Sequence, residues 1–240
     1  MAIARIPDGT EARVQAAKAA GLALADLNRR LAGVLPRVLF AGGAPAGLLE
    51  TLQELGFGVL TCEPTEVPGD DQRVLVRRVE LAPGALVATD SKGQSHRCTA
   101  AQIGLLQRGM RVSKTSHTVK TSERKIDLGR AVLSGGLLLT KKVEKSTVHT
   151  TETSEPFLLV QRGADPALIF YERRIDYRAL GPEMQPASRG NLEVVWRKLT
   201  ALAPDRVDDR VGRPGFVSGL PATSAEPVDL ALALVALSRA

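Results

Sequence analysis

Ser113-Lys-Thr-Ser-His-Thr-Val-Lys-Thr-Ser122 and Lys145-Ser-Thr-Val-His-Thr-Thr-Glu-Thr-Ser154 are two versions of one polar, threonine-rich pattern. Between them lies Ile126-Asp-Leu-Gly-Arg-Ala-Val-Leu-Ser-Gly-Gly-Leu-Leu-Leu-Thr-Lys-Lys142, an apolar stretch broken at Ser134-Gly135-Gly136. Threonine and valine favour the extended backbone, and a glycine pair lets a chain reverse. The stretch therefore reads as two strands folded back on each other, a long ribbon over residues 107–154.

The charge of the chain is concentrated there. Net charge is +6 overall, yet Arg108 to Lys145 alone holds ten Lys/Arg against Glu123, Asp127 and Glu144, which leaves the remainder at −1. Local basicity of this kind fits an anionic or acidic partner surface. Edge lysines that keep an exposed strand from self-pairing give the same pattern.

Working outward, the flanks are strand-like. Arg73 to Leu81, Ala85 to Asp90 and Gln94 to Thr99 are separated by turns at Pro83-Gly84 and Ser91-Lys-Gly93, and a segment Ala101 to Gly109 follows. Downstream, Phe157-Leu-Leu-Val-Gln-Arg162 and Ala167-Leu-Ile-Phe-Tyr-Glu-Arg-Arg174 flank a turn at Gly163 to Pro166. Leu192, Val195, Trp196, Leu199 and Leu202 then recur on one helical face, with Ser188 or Asn191 as cap and Pro204 as stop. This rhythm resembles bacterial pleckstrin-homology-like domains over residues 72–204. The resemblance implies an antiparallel β-barrel (73–204) closed by a capping helix (190–203), with Trp196 as a core plug.

Before Glu63 the periodicity is mixed. Helices are expected over Thr10 to Gly21, Leu24 to Leu31 and Pro45 to Leu55, the first capped by Thr10 or Asp8; strands are expected at Pro36 to Ala41 and Phe57 to Cys62. Gly21-Leu22, the amphipathic helix after it, the Gly33 to Pro36 exit and the closing Leu52-Gln-Glu-Leu-Gly56 with its strand are similar to the C-terminal domain of the ribosomal stalk protein L7/L12, over residues 12–63. That resemblance implies a compact α/β module (1–63) serving as a docking domain or as support. The positions of that family's factor-contacting lysines are held here by Ala25 and Asn28, so factor binding does not carry over. Residues 64–72, rich in Pro, Gly and Asp, read as a linker. The tail, 205–240, begins with a charged Gly/Pro-rich segment expected to be partly disordered. It ends in a short apolar helix, Leu230 to Leu237, too short for a bilayer and expected by default to pack on the body, with a second copy of the chain or a partner groove as alternatives.

Little in the chain points to catalysis. His96, His117 and His149 form no metal-ligand spacing; His117 and His149 can face each other across the ribbon but lack a third ligand. Cys62 and Cys98 have no CxxC partner and read as buried free thiols. Ala41-Gly-Gly-Ala-Pro45 has the look of a phosphate-binding turn but no lysine or acidic partner nearby. No signal core precedes the first helix and no run reaches the ~18 apolar residues of a membrane span.

The expectation is a cytoplasmic α+β protein, a small α/β domain followed by a β-barrel with an extended ribbon. It is expected to be non-enzymatic and without cofactor or metal. Its binding site is expected in the ribbon, with Leu133, Leu137, Leu138 and Leu139 as apolar tip and Lys114, Lys120, Arg124, Lys125, Arg130, Lys141, Lys142 and Lys145 as basic surface. A protein partner or self-association is the first expectation for the site; nucleic acid or an anionic membrane surface is the second. The tip leucines can equally bend over the barrel mouth and be core.

Overall fold

The computed structural model describes residues 1–126 and 140–239, with the backbone alone at 114–126 and 140–150. The chain divides into two compact units, Met1–Arg111 with Glu155–Ala240, and Val112–Ser154.

In the first unit, β1 (Ala2–Arg5) is the middle strand of a small sheet, between β2 (Arg37–Val38) and β3 (Gly58–Leu60). Ala2 stands opposite both Val38 and Leu60. Helices α1 (Thr10–Ala19), α2 (Leu24–Leu31) and α3 (Leu48–Glu54) cover this sheet. Ile3, Ala16, Leu27, Leu31, Leu48, Leu52 and Phe57 form their shared core. The N-cap of α1 is Gly9, at φ 101°, and neither Asp8 nor Thr10 caps it with a side chain.

A larger sheet follows, from β4 (Val74–Ala82), β5 (Ala85–Asp90), β6 (Ser95–Thr99), β7 (Leu105–Ile126), β8 (Thr140–Arg162), β9 (Asp165–Tyr171) and β10 (Val207–Asp208). Its order is β10-β7-β8-β9-β4-β5-β6. The β4–β9 and β10–β7 pairs are parallel, so the sheet is mixed, and among the described residues its end strands β10 and β6 do not pair with each other. This corrects the expected barrel. A barrel buries one face of each strand in its interior. Here Leu158, Val160, Leu168 and Phe170 bury on one face of the sheet, and Phe157, Leu159, Ile169 and Tyr171 on the other. Strands apolar on both faces need cover on both sides, which an open sheet between two layers provides.

The first cover is α4 (Ser188–Leu202), whose Leu192, Val195, Trp196 and Leu199 meet Leu86, Cys98, Leu106 and Leu158. Trp196 is 8% exposed and carries the Arg108 guanidinium over its ring at 5.2 Å. Neither Ser188 nor Asn191 caps the helix; Asn191 instead bonds the backbone of Gln185 through both its side-chain atoms, at 2.6 and 3.0 Å.

The tail forms the second cover. Val211 and Phe216 are buried against Phe157 and Tyr171, so 205–221, expected to be partly disordered, is anchored to the core through these side chains. Gly109 makes room for this: a Cβ there would come within 2.8 Å of the Phe157 ring. Helix α5 (Pro227–Leu237) lies beside them. Its Val228, Ala231, Leu232 and Val235 face the large sheet, while Leu230 and Leu234 meet Ala2 of the small one. A helix apolar on most of its circumference buries more than one face, and α5 packs on both sheets while Ala233 and Ala236 stay partly exposed. Residues 64–72 contribute short 3₁₀ turns at Pro64–Glu66 and Asp70–Gln72. No helix among the described residues is long and apolar enough to cross a membrane.

Candidate functional site

Of the residues singled out from sequence, Leu133, Leu137, Leu138, Leu139 and Arg130 lie outside the described residues. Lys114, Lys120, Arg124 and Lys125 belong to β7, and Lys141, Lys142 and Lys145 to β8; their side chains are also outside the described part. The backbone places the two basic arms on strands that are neighbours in the sheet order. His117 and His149 sit one on each arm.

The described side chains converge elsewhere, at the end of β7 within the first unit. Asp229, in the first turn of α5, is 4% exposed at its side chain. It accepts hydrogen bonds from Arg73 Nη1 at 2.5 Å and Arg111 Nη2 at 2.6 Å. Asp70 accepts from the same two arginines, each at 3.0 Å, and from the Tyr171 hydroxyl. Arg73 Nη2 is taken up by Pro68 O at 2.6 Å. Two arginines and two aspartates thus neutralise one another and tie α5, the 3₁₀ turn and the residue leading into β4 to β7, with Tyr171 adding β9. The fork of a guanidinium suits such shared recognition. Burial disfavours the charge on Arg111, but the bond to Asp229 more than restores it, and its proton is held more tightly than usual.

Tyr171 shows the opposite balance. Burial and the bond to the Asp70 carboxylate push its phenol well above the ordinary range. Tyr177 is raised in the same direction by burial and by Glu172 and Glu155. These are the only tyrosines in the chain. Because the folded state holds protons that the unfolded chain releases near pH ~10, stability must fall as pH rises above about 10. Phenolate absorbance of the folded protein is expected to stay flat through that pH and rise only with unfolding. An ordinary titration at pH ~10 with the fold intact would contradict the environment described.

Beside the ion cluster opens a cavity of about 640 Å³. Its walls are Thr61 to Pro68, the β8–β9 turn, and the outer face of α5. Leu159, Leu232, Ala233, Ala236 and Leu237 make an apolar floor, and Arg73 and Asp229 close its inner end. Gln161 donates to Gln107 Oε1 at 2.9 Å, and Gln107 donates to Leu232 O at 3.3 Å, which pins floor to sheet. Cys62, half-buried in the wall, is a free thiol raised chiefly by burial; Cys98 is the one fully buried. The volume is within the range of small-ligand sites, roughly 300–1,000 Å³.

Other motifs resolve into structure. His96 Nε2 lies 3.2 Å from Asp90 Oδ2, while Lys92 and Gln94 donate their backbone N–H to Asp90 Oδ1, so the group closes the β5–β6 turn. After Ala41 to Pro45 the helix begins only at Leu48 and spans seven residues. Among the described residues no group of three His, Cys, Asp or Glu is placed to hold a metal ion. The ion cluster and cavity escaped sequence reading because their members are far apart in the chain; the one trace was an acidic residue, Asp229, at the head of an otherwise apolar helix.

No protein-family model matches the chain, and no curated protein or solved structure is significantly similar to it.

Proposed function

We propose that the chain is a non-catalytic adaptor or scaffold of the cytoplasm, binding another macromolecule through its basic ribbon and apolar tip. One observation carries the reading: β7 and β8 each begin or end in the core sheet of the first unit and continue through a second compact unit. That second unit, Val112–Ser154, contains eight Lys/Arg and four Asp/Glu. A two-stranded ribbon has no core of its own, so its length is not explained by stability. In this reading the small α/β layer, similar to the L7/L12 C-terminal domain, supports the ribbon-bearing sheet, and the pleckstrin-like likeness is one of strand rhythm without barrel closure.

The test is capture from lysate with the full chain, comparing wild type with Leu137→Asp/Leu138→Asp at low and high salt. A partner retained at high salt by wild type and lost by the variant supports the adaptor. Equal capture by both with normal folding overturns it.

The concentration of positive charge favours a second reading, in which the arms hold nucleic acid or an anionic membrane. Replacing Lys114, Lys120, Lys141 and Lys142 with Gln is then expected to lower the slope of log affinity against log salt for duplex DNA by up to about 3–4. Salt-insensitive binding would count against this second reading.

A further inference from the structure

The cavity beside α5 has one unbalanced property. Its two cations are used internally: Arg73 by Asp229, Asp70 and Pro68 O, and Arg162, 9% exposed, by Pro166 O at 2.6 and 3.1 Å. Its outward carboxylates are not. Glu63, Glu66 and Asp165 line the cavity, are exposed, and join no ion pair among the described residues. The floor between them is apolar and open: Ala233 and Ala236 are partly exposed and Leu237 is 42% exposed, on one face of α5. The site is an apolar slot with three free negative charges at its rim. A docked apolar side chain would take this open floor out of water.

One segment of this chain has the complementary chemistry. Arg130-Ala-Val-Leu-Ser-Gly-Gly-Leu-Leu-Leu-Thr-Lys-Lys142 carries aliphatic side chains flanked by three cations and no acid. We infer that the ribbon tip of one copy docks in this cavity of a second copy, leucines on the α5 floor and Arg130, Lys141 and Lys142 toward Glu63, Glu66 and Asp165. This rests on the ribbon being a binding element, as proposed above, and names its partner. Tip and cavity are different surfaces, so the contact is head-to-tail and propagates to a ring or filament.

That geometry permits a complementation test on the full chain. Sedimentation is followed over about a hundredfold range of concentration, since association obeys mass action. Wild type is expected to grow in mass with concentration. The tip variant Leu137→Asp/Leu138→Asp and the rim variant Glu63→Lys/Glu66→Lys are each expected to weaken association by about tenfold or more. Mixed in equal amounts they are expected to form one-to-one dimers and nothing larger, because the pair retains one good tip and one good cavity. If the rim variant fails to fold, Asp165→Lys replaces it. Thiol labelling gives an independent readout, since Cys62 lines the cavity while Cys98 is inaccessible; labelling of Cys62 should slow as wild-type concentration rises.

Wild type that stays monomeric, a rim variant that associates like wild type, or folded variants that fail to complement each overturn the inference. Protection of Cys62 that is independent of concentration overturns it too, because it places the chain's own tip in the cavity. If the tip variant loses a captured partner that the rim variant keeps, the ribbon reading stands and the second-copy assignment fails.

Discussion

Replacing Asp229 with Asn is expected to destabilise the protein by about 3–5 kcal/mol, the range for removing one member of a buried ion pair. The shape of the side chain survives the change, so the loss is one of charge. Asp229 is 4% exposed, and so is its partner Arg73; Arg111 is 15% exposed. With the carboxylate gone, two guanidiniums face an amide, and Asp70 is the one carboxylate of the cluster left to them. Asp70 is 38% exposed and already accepts from Tyr171. Its own replacement by Asn should cost less, about 1–3 kcal/mol, as expected for charge-assisted bonds partly open to water.

Chemical denaturation of the variants measures both. The Asp229 effect should change little with salt, because counterions do not reach a buried pair as they do a surface one. A further variant separates charge from packing. Arg73→Met with Asp229→Leu should cost clearly less than the two single changes added together, because burying apolar groups avoids the uncompensated charge. A cost below about 1 kcal/mol for Asp229→Asn would mean that water enters the cluster, and its role as the tie between α5 and the sheet would have to be given up.

How far the sequence foretells this depends on whether a feature is local. Helix α2 was expected at Leu24 to Leu31 and is found there, because three leucines at helical spacing are enough to mark it. Trp196 was expected in the core and is buried, for the same reason. Strand β1 is different. Ala2-Ile-Ala-Arg5 has little strand character of its own, and it is a strand because Val38 and Val59 flank it from distant parts of the chain. The barrel expectation failed on a related point. Turn rhythm is alike in a barrel and an open sheet, whereas the unbroken run Phe157 to Val160, which calls for cover on both faces, decides between them. The ion cluster joins positions 70, 73, 111, 171 and 229, and no window of sequence contains that pattern.

The sharpest disagreement concerns residues 205–221, and it sets the second large effect. Phe216→Ala is expected to cost about 3–5 kcal/mol, the range for truncating a buried aromatic. Charge, Gly and Pro in this segment read as a partly disordered tail, because composition weighs each residue equally. Phe216 is fully buried, in one cluster with Val211, Phe157, Tyr171 and the inner face of α5. Its seat is made by backbone: Gly215 takes φ 78°, which few other residues adopt readily, and Phe216 N–H donates to Arg213 O at 3.2 Å. The Gly and Pro residues therefore shape a turn that delivers one ring to the core. Ser218, exposed two residues later, supplies the control, since Ser218→Ala should stay within about 0.5 kcal/mol of wild type. If the segment were solvated, the two substitutions would have the same small effect on denaturation midpoints. A gap of several kcal/mol between them requires a packed tail, and with it the second cover that an open sheet apolar on both faces cannot do without.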